Sequence, residues 1–223
     1  MNGIASNRPS AKQFNNPLPL RHTLLETRMN YPLDISFKLI ALAQQLSVRD
    51  AQGNLIFYVK RKAFKLKEAL TVFADEAQQR PLYHINADRV MDFSARYRFT
   101  DNAGNSLGSI KRHGMRSLWK SHYEIDDDAP GGAVSVTEEN AWIKVFDSVI
   151  GQLPIIGALS GYLFHPAYLL SRADGTVLLR MEKQPAFFEG KFRIEKRAEL
   201  DQAEETRALL GLLMLIMLER SRG

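Results

Sequence analysis

The chain has 223 residues, 45% of them hydrophobic, and 30 Lys and Arg against 25 Asp and Glu give a formal net charge of +5. That is ample apolar material for one sizeable core, and the moderate positive charge favours anionic surfaces such as phosphates or lipid headgroups without choosing among them. The absence of cysteine excludes a disulfide scaffold, a thiolate metal site, a cysteine nucleophile and palmitoylation of the chain.

Residues 1–30 are rich in Asn, Pro, Ser and Arg, with a short apolar patch at Leu24 and Leu25. They are expected to form a flexible arm ahead of a single domain over 31–223. No basic segment followed by a long apolar core opens the chain, so no secretory signal is read and the cytoplasm is the expected compartment. Strand-like stretches follow at 35–42, 45–49 and 54–61, the last placing Leu55, Phe57 and Val59 on one face. The turn from Asp50 to Gly53 separates the second from the third.

The same unit then recurs. Residues 64–67 alternate strictly, which sets Lys65 and Lys67 opposite Phe64 and Leu66. Residues 69–74 run into a turn around Asp75 to Pro81, and 82–85 leave it. Stretches 94–100 and 106–111 flank the turn Asp101 to Asn105, with Tyr97 expected inward and Arg96 and Arg98 outward. In 117–125, Trp119, Tyr123 and Ile125 are expected inward against Lys120, His122 and Glu124. Asp126 to Gly132 reads as an acidic surface loop. Ser148 to Leu170 contains no charged residue, but Pro154, Pro166, three glycines, Gln152 and His165 argue against a membrane-spanning helix. The expectation there is a short helix over 141–153, an apolar loop and a strand from about Gly161, with 126–165 forming an insertion. A further turn, Arg172 to Gly175, links 167–171 to 176–181, and 190–195 places Phe192 and Ile194 inward.

The chain then turns apolar on every side from Ala208 to Leu218. A helix without a polar face must be surrounded by something. At about 1.5 Å per residue this run spans roughly 17 Å, well short of the roughly 30 Å of a bilayer core. Glu204 and Glu205 suit a helix start, so a helix over 203–220 is expected. Ten to twelve meandering strands and one wholly apolar helix suggest a mainly β fold: a closed antiparallel barrel of about 12 strands enclosing a hydrophobic C-terminal α-helix. Gly211 is then a close-packing position.

The repeated turns Asp50 to Gly53, Asp101 to Gly104 and Ala173 to Gly175, the segment Gly108 to Lys111, and Phe192 to Ile194 before a terminal apolar helix resemble the Tubby C-terminal-like superfamily. Within it they resemble the LURP-one-related and phospholipid-scramblase-like branch, over approximately residues 31–218. The resemblance implies a twelve-stranded barrel threaded by a hydrophobic C-terminal helix. Tubby proteins are similar in fold and bind phosphoinositide headgroups through basic residues on the barrel. Scramblases differ from this chain in carrying a cysteine-rich palmitoylated segment and an acidic calcium loop. Here Glu195, Glu199, Asp201, Glu204 and Glu205 lack the spacing of such a loop.

The basic clusters Lys60, Arg61, Lys62, Lys65 and Lys67, and Lys111, Arg112, Arg116 and Lys120, are the candidate contacts for anionic lipid. A solvated strand exterior is the plainer reading of the same charges. Ile155, Ile156, Leu159 and Leu163 are the candidates for an apolar loop that meets a membrane, against the alternative that they cap the barrel. His113 and His122 could approach across a hairpin, but no helical metal pair, nucleophile elbow, Walker loop or dinucleotide fingerprint occurs. No cofactor, metal or catalytic residue is expected. The chain therefore reads as a non-enzymatic binding or scaffold module at an anionic phospholipid or membrane surface. A protein-interaction or regulatory module and a scramblase-like activity stand as alternatives, nucleic acid is disfavoured as a partner, and oligomeric state stays open.

Overall fold

The computed structural model describes residues 29–40, 43–62, 69–88, 95–113, 122–126, 132–139, 167–185 and 190–220. Twelve strands are present: β1 Leu33–Ile40, β2 Ala43–Arg49, β3 Leu55–Lys62, β4 Leu70–Phe73, β5 Pro81–Ala87, β6 Arg96–Asp101, β7 Ser106–His113, β8 His122–Asp126, β9 Val134–Glu138, β10 Ala167–Arg172, β11 Val177–Gln184 and β12 Gly190–Lys196. They close into one antiparallel barrel in which each strand pairs with its neighbours in the chain and β1 completes the ring against β12. Closure leaves no sheet edge to cap. Among the described residues one helix is present, α1, spanning Gln202–Arg220.

Strand alternation builds the interior. Ile35 and Phe37, Leu46 and Val48, Phe57 and Val59, Tyr97 and Phe99, Tyr123 and Ile125, and Phe192 and Ile194 all point inward and are buried. Tyr97 faces in while Arg98 is exposed, as the alternation of 94–100 requires. β9 is the strand that sequence reading missed, and it lies within the expected insertion. Its signal is two inward valines, Val134 and Val136, beside an acidic and glycine-rich segment. The expected strand at 64–67 and helix at 141–153 lie outside the described residues.

The axis of the barrel is filled by α1. Every residue from Ala208 to Met217 is buried, so the helix needs no polar face. Its closest packing is against β7 and β8. A Cβ built at Gly211 would stand 2.3 Å from Ile125 Cδ1, which explains a helix-weakening glycine in mid-helix: the Ile125 side chain already fills that space. At the entry, Asp201 caps the helix, its Oδ1 accepting from the Glu204 N–H at 2.8 Å. Glu204 in turn holds Arg172 of β10 through two bonds of 2.8 and 2.6 Å, and Glu205 lies 3.8 Å from Lys196 of β12. The first-turn carboxylates thus satisfy the helix dipole and tie it to the barrel wall.

Three hairpin turns share one backbone pattern. The N–H of Asp50, Asp101 and Arg172 donates to the carbonyl four residues on, and the N–H of Gly53, Gly104 and Gly175 donates back. Each glycine has φ of +83° to +86°, a left-handed conformation that glycine adopts without strain. Asp50 and Asp101 lock their turns identically, Oδ1 accepting two backbone N–H groups and Oδ2 the side-chain amide of Asn54 or Asn105. The β4–β5 turn uses Asp75 in the same spirit, capping the N–H groups of Gln79 and Arg80.

Candidate functional site

Register sorts the molecule into two ends. The turns at Asp50, Asp75, Asp101 and Asp174 all lie at the end where α1 enters. Hydrogen bonds hold their carboxyls below the usual range, first from the side chains of Asn54 to Asp50 and Asn105 to Asp101, and from the backbone of Gln79 to Asp75 and Thr176 to Asp174. That end stays anionic at neutral pH. At the opposite end β1 finishes at Ile40, β3 at Lys62 and β7 at His113, while β9 finishes and β10 begins there, flanking residues 140–166.

The expected lipid contacts fall on this second end unevenly. Lys60 is outward and exposed, and Lys111 is outward and half-buried between its register partners Arg96 and Glu124. Lys62 and Arg112 lie on strands that finish at this end. Arg61 departs from the expected exterior placement: it shares the parity of Phe57 and Val59 and points into the barrel. Lys65, Lys67, Arg116 and Lys120, and the apolar set Ile155, Ile156, Leu159 and Leu163, lie outside the described residues. His113 and His122 are register partners across β7 and β8. Ile40, at the tip of β1, is the one large apolar side chain among the described residues that is strongly exposed, at 50%.

Sequence reading missed a groove of ≈ 590 Å³ on the outer face of β12, β1, β2 and β3. Its floor is polar, with Ser36, Ser47, Gln45 and Tyr58. Toward the acidic end its arginines are neutralised, Arg193 by Asp34 at 3.0 Å and Arg49 by Glu76 at 2.6 Å. Toward the other end it presents the exposed Lys38 and Lys191, and Gln45 has Lys38 and Lys60 as its register partners on either side. The alternation placing Lys38 and Lys191 outward was in the sequence. Their adjacency was not, since it depends on the first strand pairing with the last. The β9–β11 side is different in character, because Arg180 is held by both Glu139 and Glu182 at 2.9 and 2.7 Å. Among the described residues no cluster of His, Asp or Glu suits a metal ion, and no helix is long and apolar enough to cross a membrane.

Residues 55–151, somewhat under half of the chain, match the model of the LURP-one-related family. The matched stretch runs from β3 to beyond β9. The LURP-one-related proteins belong to the Tubby-like superfamily. No curated protein and no solved structure gives a significant match.

Proposed function

We propose that the protein is a non-catalytic binding module that attaches peripherally to anionic phospholipid surfaces through the end of the barrel opposite the acidic turns. The observation that carries this reading is the convergence at one end of outward Lys38, Lys60 and Lys111, the exposed Ile40, and the two strand termini that bracket the uncharged stretch from Ser148. Lysines and an apolar tip at one end suit a surface of anionic headgroups over hydrocarbon, and the anionic far end orients the molecule in the same field. The match to the LURP-one-related family supports a Tubby-like binding module. The reading is attachment rather than scrambling, because the acidic residues at the start of α1 are engaged in capping and clamping it: Asp201 with the Glu204 N–H, Glu204 with Arg172 and Glu205 with Lys196.

Vesicle flotation tests it. The full chain is expected to float with phosphatidylserine-containing vesicles at low salt, to be released by added salt, and to stay behind with pure phosphatidylcholine. At about 1 kcal/mol per surface lysine, replacing Lys60 and Lys111 together by Gln lowers partitioning roughly 30-fold. Equal flotation with neutral and anionic vesicles contradicts the proposal.

A further inference from the structure

The basic end also has an inside. Arg61 and Gln44 are register partners on β3 and β2, and both point into the barrel, Gln44 being only 8% exposed. All three guanidinium nitrogens of Arg61 and the Oε1 of Gln44 are shut off from solvent and have no hydrogen-bond partner among the described residues. Tyr97, also facing in and 7% exposed, is near enough for the Arg61 charge to act on its hydroxyl. A guanidinium whose nitrogens are closed off from water and meet no acceptor is costly, because the water that would solvate them has been removed. Such groups persist where something else completes them.

Among the described residues the wall beside Arg61 is also thinly paired on one side. Along β3, every residue from Phe57 to Lys62 has a partner on β2, but on the other side the single register pair among the described residues is Tyr58 with Phe73 of β4. From Val59 onward, at the basic end, the β3–β4 seam has no further register pair among the described residues, and Arg61 stands beside that stretch. Burial holds the guanidinium below its ordinary pKa, although an arginine keeps its charge in proteins, and burial raises the Tyr97 hydroxyl, which is therefore protonated at neutral pH.

We propose that Arg61, Gln44 and Tyr97 form an internal oxyanion site beside this stretch of the β3–β4 seam, and that it takes a phosphate group. A guanidinium offers five N–H donors in a planar fork. A carboxylate has two oxygens and satisfies only one edge of that fork. A phosphate has three or more and can accept from all three nitrogens, leaving another oxygen for the Tyr97 hydroxyl or the Gln44 amide, whose oxygen and nitrogen ends can exchange. Free phosphate and a phosphorylated lipid headgroup share this chemistry. The site does not rest on the surface reading above, because Lys60 and Lys111 point away from it.

The test is thermal unfolding of the full chain in inorganic phosphate against chloride at equal ionic strength and pH. Phosphate at ten times its dissociation constant is expected to raise the wild-type Tm by about 3 °C. The shift is expected to vanish in Arg61→Met and to survive in Lys60→Met, the neighbouring position that faces outward. Where Arg61→Met does not fold, Arg61→Lys keeps the charge and loses the fork, and at least a tenfold weaker phosphate affinity is expected. A wild type indifferent to phosphate overturns the site and means that the chain supplies its own acceptor; an equal shift in wild type and Arg61→Met overturns it as well. Flotation with phosphatidylcholine vesicles doped with phosphatidic acid then identifies the source: a loss confined to the Arg61 variants identifies a headgroup, and unchanged flotation identifies free phosphate. Failure of the Lys60 and Lys111 flotation experiment leaves the Tm shift unaffected, so the two proposals fail separately.

Discussion

At the scale of the residue, the repeated Asp and Gly positions of the turns carry the geometry of one barrel end. Gly104 has φ +85° and open space where a Cβ would be, so Gly104→Ala meets no clash and its cost isolates the left-handed backbone. About 1–2 kcal/mol of destabilisation is expected by denaturant unfolding. The carboxylates of Asp50, Asp75, Asp101 and Asp174 are all depressed in the folded state. Their stabilisation is therefore fully present above the ordinary Asp pKa of about 3.9 and is lost as pH falls through the lower folded values. Melting followed from pH 5 downward should show a steep acid limb in the wild type and a shallower one in Asp101→Ala. Parallel limbs would mean that the turn carboxylates do not matter to folding.

At the scale of the element, α1 is the piece on which the barrel depends. At Gly211 the side chain of Ile125, itself fully buried, fills the space a Cβ would take. Gly211→Ala gains helix propensity and loses more by overpacking, for a net cost of about 1–3 kcal/mol by the same denaturant measurement. A neutral or stabilising result would mean that Ile125 gives way and that the packing at this point does not require a glycine. This element was also the most legible in the sequence, because eleven apolar residues without a polar face admit few settings and the run was too short for a bilayer. β9 was the least legible: five residues with two inward valines form a strand only because β8 and β10 are there to pair with it. The parity of Arg61 could be read from Leu55, Phe57 and Val59, but a run of three basic residues reads as surface, and charge outweighed alternation.

At the scale of the whole molecule, closure of the barrel turns local alternation into two distinct ends, one of anionic turns and one that carries outward lysines and the exposed Ile40. The strand content, the turn repeats and the enclosed helix were legible because each is a local pattern. The groove on β12, β1, β2 and β3 and the gathering of basic termini were not, since both depend on contacts between residues far apart in the chain, as in the pairing of Ile35 with Phe192. The two ends make opposite demands in the presence of a membrane. The cysteine-free sequence allows one label at a time: Asn86→Cys, exposed near the basic end of β5, and Ala103→Cys, exposed in the turn at the acidic end. With an environment-sensitive fluorophore at each, anionic vesicles should blue-shift the emission at position 86 and leave position 103 unchanged. A shift at 103 alone, or equally at both, would contradict attachment through the basic end.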